Sequence, residues 1–373
     1  MPFRDRYLRT LTFQETDRVP FMPGWPREST LEAWWTQGLD PDADWWATLL
    51  RAVNLPEMPA GPGGVDVSFQ MIPVFEEKVL EHREGHYVVQ DWMGAVTEIS
   101  DVFDVTYIRT PKDFVTRKWH RFPVQNRADW ASMRERFDPN SAGRFGERFG
   151  ERARDLQQNG IPTTVQVNGP FWQLREWLGF ENLCTLFLDD PEFIREMVEF
   201  WTEFVSEALG RMLLEAPLDR LGISEDMAYK AHAMISPEMT RTFLAPTYRR
   251  WVDQVKSAGC QLVDVDSDGC IGELIPVWIE CGVNVCDPME VAAHNDLPAL
   301  RTRFGKKMAF MGGVDKRAIA AGGRTMLEEL DRLAPVVADG GYIPSCDHGV
   351  PPDISWPDFV AYARRLAEVT GWL

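Results

Sequence analysis

Gln261-Leu262-Val263-Asp264-Val265-Asp266-Ser267-Asp268-Gly269 decides the reading of this chain. An apolar, β-branched run reads as a strand over Gln261–Val265. It then empties into carboxylates and a glycine, with a helix expected from near Ile271. The same grammar recurs at Thr163–Val167, Arg220–Ser224, Val283–Cys286, Met308–Met311 and Gly341–Pro344. Helical patterns fill the intervals. Phe193–Leu214 is amphipathic, and Pro237–Ser257 opens with Ser236 as N-cap and proline at the first helical position. Strands alternating with helices predict a parallel sheet. With a strand at Val19 the count is seven, and an eighth, unassigned, would complete an α/β (β/α)8 barrel. Such barrels run well past ~250 residues as one unit, so all 373 residues are expected to form one domain.

Outward from these repeats the pattern changes. A short amphipathic helix over Arg4–Phe13 and the turn Asp17-Arg18-Val19-Pro20-Phe21 form an N-terminal extension, followed by a Pro-, Gly- and Trp-rich loop expected over the barrel mouth. Residues 61–125 carry short alternating segments, among them His86-Tyr87-Val88-Val89 and Val102-Phe103-Asp104-Val105, and read as a β-rich insertion. Net charge is −18 with no cluster of basic residues, which excludes a phosphate-backbone partner. No apolar run is long enough to span a membrane, and Met1–Arg6 lacks a signal peptide's apolar core. A cytoplasmic protein is expected. Its six cysteines, without a CxxC pair, suit reduced thiols.

Side chains at the C-terminal ends of barrel strands face the substrate. After Ser224 come Glu225, Asp226, Tyr229 and Lys230, an acid/base or metal-binding group or else a solvated cap. Alternation puts Asp264, Asp266 and Asp268 on one side of their strand. Their repulsion calls for a divalent cation or for an Arg or Lys from a neighbouring strand. A calcium loop of the EF-hand kind is excluded, because its twelfth position is Val277. The last strand ends in Cys346-Asp347-His348, which makes His348 a candidate for proton transfer. Asn168 and Asp315 end two further strands, and Gly312-Gly313 suggests close backbone approach, to an anionic group or in a plain tight turn.

These residues carry a likeness. Arg6-Tyr7-Leu8 with Asp17-Arg18-Val19-Pro20, Ile235-Ser236-Pro237-Glu238 with Leu244-Ala245-Pro246, and His348-Gly349-Val350-Pro351-Pro352 resemble the motifs of uroporphyrinogen decarboxylases and their relatives over nearly the whole chain. The resemblance implies the barrel fold. True uroporphyrinogen decarboxylases carry an RQAGR-type motif after the DR-x-P element. Here that stretch, Phe21–Glu28, offers only Arg27, beside Trp25.

The corrinoid-linked methyltransferases of the superfamily hold zinc with an H-x-C-G pair and a C-terminal cysteine. In their places stand Asp266-Ser267-Asp268 and His348, with Cys346 two residues away. The resemblance therefore implies a divalent metal, zinc first, on Asp266, Asp268, His348 and Cys346. The set is rich in oxygen, suited to activating an O- or N-methyl group. The expected activity is transfer of a methyl group from a small methylated substrate to a corrinoid on a partner protein. Glu225, Asp226, Lys230 and His348 would be catalytic, and Trp25, Arg27, Asn168, Tyr229 and Asp315 would bind substrate. The alternatives are decarboxylation of a porphyrinogen-like or aromatic acid, and a silent barrel that binds a tetrapyrrole or a corrinoid protein. A monomer and a homodimer fit the sequence equally.

Overall fold

The computed structural model describes residues 1–103 and 116–373. The described strands are Gly63–Gly64 (β1), Lys78–Arg83 (β2), His86–Gln90 (β3), Val96–Ser100 (β4), Lys118–Arg121 (β5), Thr163–Asn168 (β6), Arg220–Ser224 (β7), Leu262–Asp266 (β8), Val285–Asp287 (β9), Ala309–Val314 (β10) and Tyr342–Cys346 (β11). Seven of them form a parallel sheet in the order β1-β6-β7-β8-β9-β10-β11, with helices between successive strands from β6 onward. The architecture is α/β and of the TIM-barrel kind. The other four form an antiparallel sheet, β2-β3-β4-β5, within the stretch expected to be β-rich. Val102 and Phe103 lie in a turn after β4, and Asp104 and Val105 fall outside the described residues.

Among the described residues backbone ladders do not close the barrel, and the expected strand at Val19 does not form. The first strand of the sheet is β1 instead. Pro20–Pro26 lies beside β11, where Cys346 donates its N–H to the Pro23 carbonyl at 3.2 Å and Pro26 bridges Val350. Prolines at 20, 23 and 26 remove three donors from seven residues, so this segment cannot run a ladder.

The amphipathic helix at Phe3–Leu11 closes the floor of the barrel. Phe3, Tyr7, Leu8 and Leu11 pack against the inward residues Leu262, Val285, Ala309, Met311 and Ile343. Two ion pairs fix the plug: Arg6 forks onto Asp17 at 2.9 and 2.7 Å, and Arg4 forks onto Asp219 at 2.9 and 2.7 Å. The Arg6 guanidinium holds the Asp17 carboxyl well below the usual range. Two residues of the N-terminal motif, Arg6 and Asp17, thus brace the plug itself, while Arg4 ties it to the scaffold at Asp219.

On the outside, the long helix Pro191–Glu215 and its neighbours bury the other strand face. The helix expected over Pro237–Ser257 is interrupted. Ser236 Oγ caps the Met239 N–H at 3.1 Å, but Thr240–Leu244 forms a wide π turn before the helix resumes at Ala245–Ser257. Pro246 has no N–H to donate and its ring crowds the preceding turn, which opens to fit it. No helix among the described residues is long and apolar enough to cross a membrane.

Candidate active site

Three parallel strands end level with one another. Their register sets Ser224, Asp266 and Asp287 in one row across β7, β8 and β9. One step deeper, Arg220 reaches over to Asp264 and binds both its oxygens, at 2.5 and 2.6 Å. Asp264 is fully buried. The repulsion foreseen among the β8 aspartates is therefore relieved at Asp264 by an arginine from the neighbouring strand. Burial works against the Arg220 charge, but Asp264 outweighs it and holds the guanidinium protonated.

Asp266 has no such partner at close range. Ser224 Oγ stands 3.5 Å away, and the charges that act on it most are those of Asp287, Asp264 and Asp226, with Arg220 opposing them. Burial first, then these carboxylates, pushes Asp266 up. Asp287 is also raised by burial, although Arg220, 3.8 Å away, offsets part of it. Neighbouring, partly buried carboxylates that repel each other favour sharing a proton.

Above this row, His348 Nδ1 accepts the Gly349 N–H at 2.7 Å and faces Arg27 Nη2 at 3.3 Å. Since Nδ1 accepts, the ring proton sits on Nε2, which donates to Asp268 Oδ2 at 3.2 Å. The Asp268 N–H in turn donates to Asp226 Oδ1 at 3.1 Å. Asp226 holds a left-handed backbone (φ 39°) that a non-glycine residue adopts only under constraint. Its carbonyl is held by Arg175 Nη1 at 3.0 Å. The structure thus unites Asp226, Asp266, Asp268, His348 and Arg27, five of the residues singled out in the sequence.

Other expected site residues lie elsewhere. Glu225 follows the outward parity of Leu221 and Ile223, and is fully buried against the helix Pro170–Leu178. It accepts the Trp172 N–H at 2.9 Å and the Tyr248 hydroxyl, and serves as a buried cap; burial raises its carboxyl to about 7. Tyr229 and Lys230 are exposed on the rim, and Trp25 is 61% exposed with its ring edge-on to Trp45. Asp315 caps the helix Lys316–Ala321 and is forked by Arg317, while the glycine pair is required by a carbonyl: a Cβ on Gly312 would stand 1.9 Å from Pro288 O.

Cys346 also points outward, into the layer that holds Tyr362, and burial pushes its thiol up to about 12. It cannot join Asp266, Asp268 and His348. Among the described residues no three His, Cys, Asp or Glu side chains assemble as a metal site; Asp268 and His348 are the two expected donors that meet. The expected zinc set does not fit this arrangement.

Asn168 donates to Gln173 and to Glu176, at 3.1 and 3.2 Å, and looks into a cavity beside the mouth. Glu176 also accepts from Trp172 Nε1 at 2.7 Å, and burial raises it to about 7. The sequence reading passed over Arg220, Gln166, Arg175 and Glu176. Arg220 shares the inward parity of Ser224, and Glu176 is spaced i+4 from Trp172 on one helix face; both signals were present.

Comparison with known proteins agrees with this architecture. A solved methyltransferase from Methanosarcina mazei is similar over 99% of this chain and 98% of its own, with TM-score 0.61 and 13% identity. A B12-independent methionine synthase from Shewanella sp. W3-18-1 matches over 60% of this chain and 65% of its own, with TM-score 0.36 and 15% identity. No curated protein matches by sequence. Residues 123–364, more than half of the chain, match the family described as uroporphyrinogen decarboxylase (URO-D). The chain belongs to the uroporphyrinogen decarboxylase (URO-D) family.

Proposed function

We propose that this protein is a methyltransferase component, taking a methyl group from a small O- or N-methyl donor and passing it to a corrinoid carried by a partner protein. One observation carries the reading: Asp266 and Asp287 stand side by side in register at the inner end of the mouth, next to the His348–Asp268 pair, where burial and mutual repulsion raise both carboxyls and favour a retained proton. When the carbon–heteroatom bond of the donor breaks, its electron pair stays on oxygen or nitrogen and needs a proton. The carboxylic acid row supplies it, and His348, whose Nε2–H rests on Asp268, would turn that N–H to the charge that develops on the leaving group. The corrinoid partner, when docked, supplies the nucleophile that takes the methyl group.

The charge of the mouth favours this over decarboxylation of a porphyrinogen. Asp226, Asp266, Asp268 and Asp287 line it, with Arg27 the cation at His348, and Arg220 is already committed to Asp264 one step deeper. Many carboxylates of one substrate would meet carboxylates of the protein. The fold-level likeness to a methyltransferase is in keeping with the reading.

The test incubates the protein with O- and N-methylated donors and a reduced corrinoid protein, following donor demethylation and the methyl-corrinoid spectrum together. Both should move in step. His348→Ala and Asp268→Asn should each lower turnover by about 100-fold, as loss of a positioned proton-transfer group does. Stoichiometric CO2 release from an acid without demethylation would replace this reading with the decarboxylase.

A further inference from the structure

Beside the mouth, between the antiparallel sheet and the helix Pro170–Leu178, lie two cavities of about 410 and 500 Å³. Trp92, Trp172 and Glu176 line both, so the two adjoin as the inner and outer lobes of one candidate chamber, with these three side chains between them. The inner lobe is polar, with Ser68, Gln70, Gln166 and Asn168 on its wall. Gln166 donates to Ser224 Oγ at 2.8 Å, and Ser224 adjoins Asp266, so this lobe abuts the acid row. Each volume falls within the range of small-molecule sites.

The outer lobe has a different chemistry. Flat surfaces of Trp92, Trp119, Phe122, Trp172 and Phe180 enclose it, with Trp119 and Phe122 stacked at 5.0 Å and 16°. Arg175 lies over Trp172 at 4.5 Å and Arg117 beside Trp119 at 5.8 Å. Among the described residues Arg175 pairs with Asp226 at the long distance of 3.8 Å. In a chain of net charge −18, the described residues lining this aromatic box include two guanidiniums and one carboxyl, that of Glu176.

We propose that this chamber binds a planar aromatic carboxylate, with the ring among the indoles of the outer lobe and the carboxylate on Arg175 and Arg117. Groups borne on the ring would pass Glu176 toward Gln166 and the mouth. Two cations exclude a cationic ligand, and five aromatic walls favour a ring over an aliphatic chain. This goes beyond the methyl-transfer reading and does not depend on it, because it concerns what the chamber holds and not what the mouth does to it.

The test is equilibrium binding by calorimetry and tryptophan quenching with the whole protein, using 2-naphthoate, 2-naphthamide and cyclohexanecarboxylate as probes. Naphthoate should bind at least about tenfold more tightly than either of the others, an ordinary margin for one charge-assisted contact. Arg175→Gln should weaken naphthoate by about tenfold or more and leave naphthamide nearly unchanged, a split that general misfolding would not produce. Trp119→Ala, at a position already 42% exposed, should weaken both aromatic probes. Absence of naphthoate binding at about 10 mM, or equal affinity for acid and amide, would overturn the proposal. Because no turnover is read, failure of methyl transfer would leave this result standing.

Discussion

Replacing Glu225 with glutamine separates the structural from the catalytic account of that residue. The carboxyl sits in a closed space: a Cβ on Gly169 would stand 2.1 Å from its Cδ, and Tyr248, Trp172 and Phe171 supply its hydrogen bonds. Glutamine keeps the shape. Its carbonyl accepts from Trp172, while its amide donates to the Tyr248 hydroxyl, which rotates to accept, at a cost of ~1 kcal/mol.

What changes is the titration. Burial raises Glu225 from the ordinary 4.5 to about 7 in the folded protein. Between these limits the unfolded chain gives up a proton that the folded chain keeps, so stability falls as pH rises, then levels off above about 7. The loss is ~3 kcal/mol at full extent. Glu176, Asp266 and Asp287 contribute slopes of the same sign, but these are common to both proteins and cancel in the difference. Urea unfolding of wild type and Glu225→Gln from pH 4.5 to 8 should therefore give a stability difference that moves by ~3 kcal/mol in favour of the variant as pH rises. A difference constant to within ~1 kcal/mol across that range would refute the buried-cap assignment. Methyl transfer by the variant should stay within about tenfold of wild type, because Glu225 does not reach the mouth.

Three further outcomes follow from the same geometry. Arg220→Met leaves Asp264 charged, buried and unpaired; thermal unfolding should show a loss of ~3–5 kcal/mol, and a loss below ~1 would contradict the pairing. Asp287→Asn removes the largest charge opposing ionisation of Asp266, so the alkaline limb of the pH–rate profile should move to lower pH; movement to higher pH would reverse the proposed coupling. Gly222→Ala would put a Cβ 1.8 Å from Gln166 Oε1, which must swing away from Ser224; chemical denaturation should show ~1 kcal/mol of destabilisation, the worth of that hydrogen bond, and a loss above ~3 kcal/mol would contradict the mobility of Gln166.

Much of the fold was legible because parallel strands bury both faces and stand out as apolar runs between helices. The observed strands from β6 onward match those runs, and most extend or shift one to three residues toward their C-terminal ends. The shift matters at β8 and β9, where it brings Asp266 and Asp287 inside the ladder and sets them in register. The two failures on the N-terminal side have local causes. Gly63–Gly64 has no side chain to report a strand, and Val19–Phe21 looks like one until the prolines are counted as missing donors.

The site was half legible for a reason the strand itself supplies. Alternation was applied to Asp264, Asp266 and Asp268, and it grouped them correctly on the inner face. Carried past the end of β7, the same parity sends Asp226 inward and Glu225 out to the helix layer, although the two are adjacent and were read as one acidic pair. On β11 it turns Cys346 outward with Tyr342, which dissolves the four-residue metal set. His348 lies beyond the last strand residue, where parity lapses, and reaches Asp268 only because the Gly349 N–H and Arg27 hold its ring. Residue type alone therefore marks the strand ends that can carry chemistry. The direction of each side chain decides whether a carboxylate becomes an acid at the mouth or a cap inside the wall, and in this chain that depends on one residue of offset.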